Sequence, residues 1–299
     1  GLERMMTVIV TACDAFGLTV SEAKTEIMCL QTKDGGNVPF TVTAAGQVYK
    51  QTLEFVYLGG AISADWTRRS VEVTRRLQRA WACFGRYKME IYDRPGVRLR
   101  LKVRMLKAEV IETLLYGCVT WSPSKADFGK LREVHHKMLL RCLGWRKRKR
   151  EDHILSYASA LLRTDSESIE TTVRRRRILF AGFVTRMGEE RLPKRVMFGE
   201  MVGGKGYSGG QEWDWMRYLE EDLKEFGIKL EGWREAAQKA GRWFRRVEEG
   251  AEVFVRKWHK VENEASAERR RMAATATTSV DANARAQEGR EGGGAFSQS

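Results

Sequence analysis

At about Asp65 the hydrophobic period of this chain changes, and the change divides it into two kinds of structure. Upstream, a helical run over residues 3–16, with Gly17 as its C-cap, leads into four short β-prone runs at 25–30, 39–43, 48–52 and 55–58, with Asp34-Gly35-Gly36 as a turn. These predict a helix and a small antiparallel sheet. Downstream, apolar residues recur at helical spacing as far as Arg271, which predicts one helix after another. The expected fold class is therefore mainly α with a small N-terminal α+β element. The chain opens on Gly1 inside a helical pattern, as a fragment would.

In the first downstream helix Val73, Leu77, Ala80, Phe84 and Ile91 form an apolar stripe. Arg68, Arg75, Arg79 and Arg86 form a second row, within roughly 40° of one another and roughly 150° from the apolar stripe. No acid interrupts the row, so it is either a solvated face or a track for phosphates. Over residues 97–116, Arg98, Arg100, Lys102 and Arg104 alternate with Leu99, Leu101, Val103 and Met105 as on a strand. The stripe Leu99, Val103, Leu106, Val110, Leu114 persists too long for one, and predicts a helix. A third helix is expected over 124–143, carrying Phe128, Leu131, His135, Met138 and Cys142 on one side and closed by Gly144. Further helices are expected at 152–162, 169–187, 213–226, 233–247 and 251–271.

Among these segments lie two basic runs. Arg174 to Arg177 sit mid-helix, where four consecutive side chains spread around the axis and cannot all be buried. Trp145-Arg146-Lys147-Arg148-Lys149-Arg150 is a dense run beside an aromatic, suited to phosphates or to nuclear import. The glycine-rich stretch 202–210 lacks a GKS or GKT ending and reads as a linker, not a phosphate loop. Beyond Met272 the residues are too poor in apolar surface to order themselves.

Charge narrows the partner. Lys and Arg number 53 against 39 Asp and Glu, a formal +14, which favours a polyanion, with nucleic acid first. No apolar run reaches bilayer-spanning length and no secretory segment opens the chain, so no membrane partner and a nuclear or cytoplasmic location are expected. Cys13, Cys29, Cys83, Cys118 and Cys142 are scattered without zinc-site spacing, and adjacent His135 and His136 cannot chelate one ion from a helix. No metal-ligating residues are assigned.

The order of segments resembles the C-terminal part of the reverse transcriptases of non-LTR (LINE-type) retrotransposons. Gly17-Leu18-Thr19-Val20 with Lys24-Thr25-Glu26 is similar to their motif D, and Phe55-Val56-Tyr57-Leu58-Gly59-Gly60 to motif E, the primer grip. Leu115-Tyr116-Gly117 with Trp121, then Leu131, His135, Leu139 and Leu143-Gly144, resemble the thumb. Ile169, Arg175 to Arg177, Ile178-Leu179, Gly182, Val184, Arg186-Met187 and Arg191-Leu192-Pro193 match the block that follows it. Trp215, Asp222-Leu223-Lys224, Gly227-Ile228, Trp233, Ala237 and Trp243 resemble the terminal tryptophan-rich helices. Departures are Ser21, where the family often has Asn, and Phe183, where it often has His.

The resemblance implies the end of a palm with a primer-grip hairpin (1–62), a helical thumb (63–150), a C-terminal helical nucleic-acid-binding region (151–272) and a disordered tail (273–299). It implies an RNA template or RNA/DNA duplex as partner. Tyr57, Leu58, Gly59 and Gly60 would touch the primer end, while Arg68, Arg75, Arg79, Arg86, Arg146, Lys147, Arg148, Lys149 and Arg150 would hold phosphates. Lys24 would neutralise or protonate the departing pyrophosphate in the intact enzyme. That enzyme uses Mg²⁺ held by paired carboxylates, including an aromatic-Ala-Asp-Asp element that does not occur here and would lie before Gly1. Asp14 alone cannot build a two-metal site, so the chain by itself is expected to carry no cofactor and not to polymerise. A stand-alone RNA- or DNA-binding module and a non-catalytic protein-interaction scaffold remain the alternatives.

Overall fold

A computed structural model describes residues 1–29, 40–64, 71–144, 155–199 and 215–291. The chain divides into two units, residues 1–138 and 139–299. Unit 1 begins with α1 (Leu2–Ala15), which ends at Gly17, whose φ of +69° is the left-handed geometry expected of a C-cap glycine. Its Met6 and Val10 face a sheet of β1 (Glu26–Ile27), β2 (Val42–Ala44) and β3 (Gln47–Gln51), and the contact buries Ile27, Val42, Ala44 and Tyr49.

The strand order is β1-β3-β2, with β2 antiparallel and β1 parallel to β3. This corrects the expectation of one antiparallel sheet. The two-residue turn Ala45-Gly46, at positive φ, dictates the antiparallel pairing of β2 and β3. Nothing so local sets the direction of β1, which a long connection delivers to the other edge of β3. A second departure is that β4 (Glu54–Tyr57) and β5 (Gly60–Ser63) form a separate hairpin. The break falls after Thr52, whose N–H gives the last bond to Ile27 and whose hydroxyl donates to the Glu54 carbonyl.

Helices follow, and no strand lies beyond Ser63 among the described residues. In α2 (Val71–Arg86), Val73, Ala80 and Phe84 are buried as the apolar stripe requires. A π turn over Lys88–Tyr92 then folds Tyr92 back so that its ring stacks on Phe84 at 4.1 Å. The ambiguous segment is helical from Leu99 to Leu114, as α3 (Leu99–Met105), a π segment (Leu106–Ile111) and α4 (Glu112–Leu114). Val103, Leu106, Val110 and Leu114 are buried, whereas Leu99, at the first turn, is exposed. Lys102 is buried instead, with Nζ donating to the Tyr92 carbonyl at 2.8 Å. In α5 (Lys125–Cys142) the expected side is inward: Leu131, His135, Met138 and Cys142 are buried. Burial lowers the His135 pKa to about 3 and so keeps the ring neutral, and electrostatic repulsion from the neighbouring His136 and Lys107 acts in the same direction.

Unit 2 comprises α6 (Tyr157–Thr164), α7 (Ile169–Thr185), α8 (Leu192–Phe198), α9 (Trp215–Glu225), α10 (Trp233–Ala237) and α11 (Ala240–Glu291). Ser156 and Ser168 cap α6 and α7, each accepting a backbone N–H three residues on. Ile178 and Ala181 of α7, Leu219 and Leu223 of α9, and Trp243, Val247 and Phe254 of α11 build the core. The segment expected as one helix over 233–247 is broken at Gln238-Lys239. From there α11 absorbs the separate helix expected at 251–271. It also runs to Glu291, through a stretch expected to be disordered. That stretch is rich in alanine, the strongest helix former, so backbone propensity extends the helix where apolar burial was not anticipated. No helix among the described residues is long and apolar enough to cross a membrane.

Candidate nucleic-acid interface

The β4–β5 hairpin pairs Tyr57 with Gly60, leaving Leu58 and Gly59 as a two-residue turn. Both have positive φ, +47° and +83°, the signature of the turn type whose twist matches a hairpin. Glycine takes this geometry freely and leucine does not, so Leu58 is strained and keeps this turn only if its surroundings hold it. They do. The Leu58 carbonyl accepts from the Tyr116 hydroxyl at 3.1 Å, and the Gly59 carbonyl accepts from Arg75 Nη1 at 2.7 Å and from Arg76 Nη2.

Behind the turn, Glu72 of α2 accepts the Ala61 N–H at 2.6 Å and pairs with Arg76. The Arg76 guanidinium lies 4.5 Å from the centre of the Tyr116 ring and is buried. A Cβ on Gly59 would stand 3.3 Å from that same ring. The hairpin tip is therefore fastened from behind through its backbone. Its side chains face outward, with Leu58 78% and Tyr57 60% exposed. A cleft of about 580 Å³ opens beside them, bounded by Tyr57, Ile62, Tyr116, Thr120 and Trp121. Replacing Tyr116 with phenylalanine removes one hydrogen bond and keeps the ring. It should cost about 0.5–1.5 kcal/mol in a denaturant melt and speed hydrogen exchange in the 54–63 hairpin before that of α2. Unchanged exchange in the hairpin would mean that Tyr116 does not hold the turn.

The arginine row is divided by the fold. Arg75 is half-buried and turned onto the Gly59 carbonyl, while Arg79 and Arg86 are exposed. Arg79 has no ion pair or side-chain hydrogen bond among the described residues, and Arg86 donates to Cys83 Sγ at 3.4 Å beside the Tyr87 ring. Arg68 and the run Arg146 to Arg150 lie outside the described residues. Lys24 is exposed on a short 3-10 turn, Glu22–Lys24, between α1 and β1. Sequence reasoning passed over Arg76, which is more deeply buried than Arg75 and just as important to the hairpin. Its offset of one position from the row was the available signal, since it falls toward the apolar stripe. Arg100 and Arg104, four apart and exposed on α3, were also passed over because they were weighed only as a strand pattern. No group of His, Cys, Asp or Glu that could hold a metal ion is found among the described residues.

No protein-family model matches the chain, and no solved structure does. It is 23% identical over 219 residues to a Caenorhabditis elegans protein named as transposon-derived, and the match covers 72% of each chain. That similarity fits a transposable-element origin.

Proposed function

We propose that this chain is the C-terminal portion of a non-LTR retrotransposon reverse transcriptase, and that it holds template–primer nucleic acid with the hairpin tip and the exposed arginines of α2. One observation carries this assignment. Two segments identified separately by their resemblance to the family, Tyr57-Leu58-Gly59-Gly60 and Leu115-Tyr116-Gly117, meet in space, with Tyr116 bonded to Leu58. A strained turn anchored from behind, with Tyr57 and Leu58 presented outward, is suited to pressing on the end of a strand without reading its sequence. Arg79 and Arg86 supply the phosphate contacts, whereas Arg75 and Arg76 position the turn. Residues 1–62 are the palm end, 63–150 the thumb, and 151–272 a further nucleic-acid-binding region.

Among the described residues no group of acids could hold a metal ion, and the role proposed for the chain is binding. Lys24 has work to do only where an intact palm supplies metals and nucleotide. The isolated chain should therefore incorporate no nucleotide on a primed template. It should bind duplexes with an affinity that falls steeply with salt. Converting Arg79 and Arg86 to glutamine should flatten the slope of log affinity against log salt by up to about 0.9 for each phosphate of B-form DNA that is no longer neutralised. Tyr57→Ala with Leu58→Ala should weaken binding to a recessed 3′ end more than to a blunt duplex. An unchanged salt slope together with equal loss on both ends would refute the assignment.

A further inference from the structure

Unit 2 carries a basic surface that the hairpin and α2 do not explain. Seven positions of α11 between Arg242 and Lys260 fall on one arc of about 100°. Five are basic, namely Arg242, Arg245, Arg246, Arg256 and Lys260, and the other two are Glu249 and Val253. All five cations are exposed, and none has an ion pair among the described residues. They span about 27 Å along the axis.

Stability does not account for the pattern. Arg242 and Arg246, like Arg256 and Lys260, stand four apart, where like charges oppose the helix. The first turn holds no acid, and Arg242 adds a cation near the helix end that already carries partial positive charge. Elsewhere on α11, charges do find partners: Glu248 accepts from Arg175 at 3.2 Å, and Lys257 pairs with Glu225 at 2.8 Å. Nor does the arc suit a bilayer surface. The apolar side of α11, with Trp243, Val247, Ala251 and Phe254, is spent on the core of unit 2, leaving Val253 as the arc's only large apolar side chain.

We infer that this face of α11 is a second, independent nucleic-acid-binding surface, which grips the phosphate backbone of a duplex without reading its bases. A straight row of mostly arginine forks matches regularly spaced phosphates along a rod. The test uses the full chain and a short DNA duplex, with affinity measured by fluorescence anisotropy across a KCl series. One variant carries Arg242→Gln, Arg246→Gln, Arg256→Gln and Lys260→Gln; a second carries Arg79→Gln and Arg86→Gln; a third carries both sets.

The α11 variant should lose tenfold or more in affinity at moderate salt and flatten the salt slope by two or more, with an unchanged thermal melt. Lysine at the three arginine positions should retain most of the slope. The same loss should appear on top of the α2 substitutions. If the α2 set has no effect and the α11 set does, the surface stands while the assignment in unit 1 falls. An α11 variant with the parental slope overturns the inference. So does poly-glutamate that competes as well per charge as the duplex, since the face would then take any acidic polymer.

Discussion

Asp222→Ala should destabilise unit 2 by about 3–5 kcal/mol, the cost of removing one member of a buried ion pair. Asp222 and Arg177 are 2% and 1% exposed, and a carboxylate oxygen meets Arg177 Nη1 at 2.6 Å. The second oxygen meets Arg174 at the same distance. Burial pushes the Asp222 carboxyl up, against the pull of both guanidinium groups, so desolvation outweighs the attraction. A pair of this kind adds little net stability; it specifies which face of α7 meets α9. Removing one member is a different matter, because Arg177 cannot leave the core whereas Arg174 is partly exposed and can turn to water.

The check is a urea melt of the full chain, with hydrogen exchange over 219–254 locating the loss. Arg177→Met combined with Asp222→Leu should recover most of the stability, since an apolar pair of similar volume incurs no desolvation. If the single and double variants melt alike, the damage comes from disrupted packing and not from the broken ion pair.

Gly182→Ala should be nearly as damaging, at or above the ~1–3 kcal/mol usual for overpacking a core. A Cβ there would lie 2.1 Å from Trp243 Nε1 and 2.4 Å from its Cδ1. The indole cannot step aside: it is 1% exposed, donates to the Ile178 carbonyl at 3.3 Å and lies 5.9 Å from the Trp233 ring. Gly241→Ala is the control, as a helical glycine with nothing within 4 Å of the added carbon, and it should be neutral or slightly stabilising. Trp243→Phe should make Gly182→Ala less costly than in the parent. Additive effects of those two changes would mean that the clash is relieved elsewhere.

These two sites explain why the block over 169–193 and the tryptophan-rich segment, some 40–65 residues apart, stand out together in the sequence. Arg177 and Gly182 belong to the first, Asp222 and Trp243 to the second, and they are contact partners. In unit 2 the residues that carry the resemblance are mostly packing devices. In unit 1 they fasten a turn whose Tyr57 and Leu58 side chains are exposed.

Local rules were enough to place most helices, because an apolar period shows itself within a dozen residues. They marked Gly17 and Gly144 as helix ends, since a left-handed backbone favours glycine, and they made 97–116 a helix on length alone. Charge balance pointed to a polyanion without reference to any fold. The partners of individual cations were beyond that reach. Arg75, Arg79 and Arg86 are equivalent by angle, yet one is held by a carbonyl 16 residues away and the others are not. Tyr116 reaches Leu58 across 58 residues, and Arg177 reaches Asp222 across 45. The direction of β1 and the separation of the hairpin from the first sheet were settled the same way. Hydrophobic period and turn chemistry act between neighbours in the chain, whereas the burial of a charge or the pairing of a distant strand depends on which surfaces the folded backbone brings together.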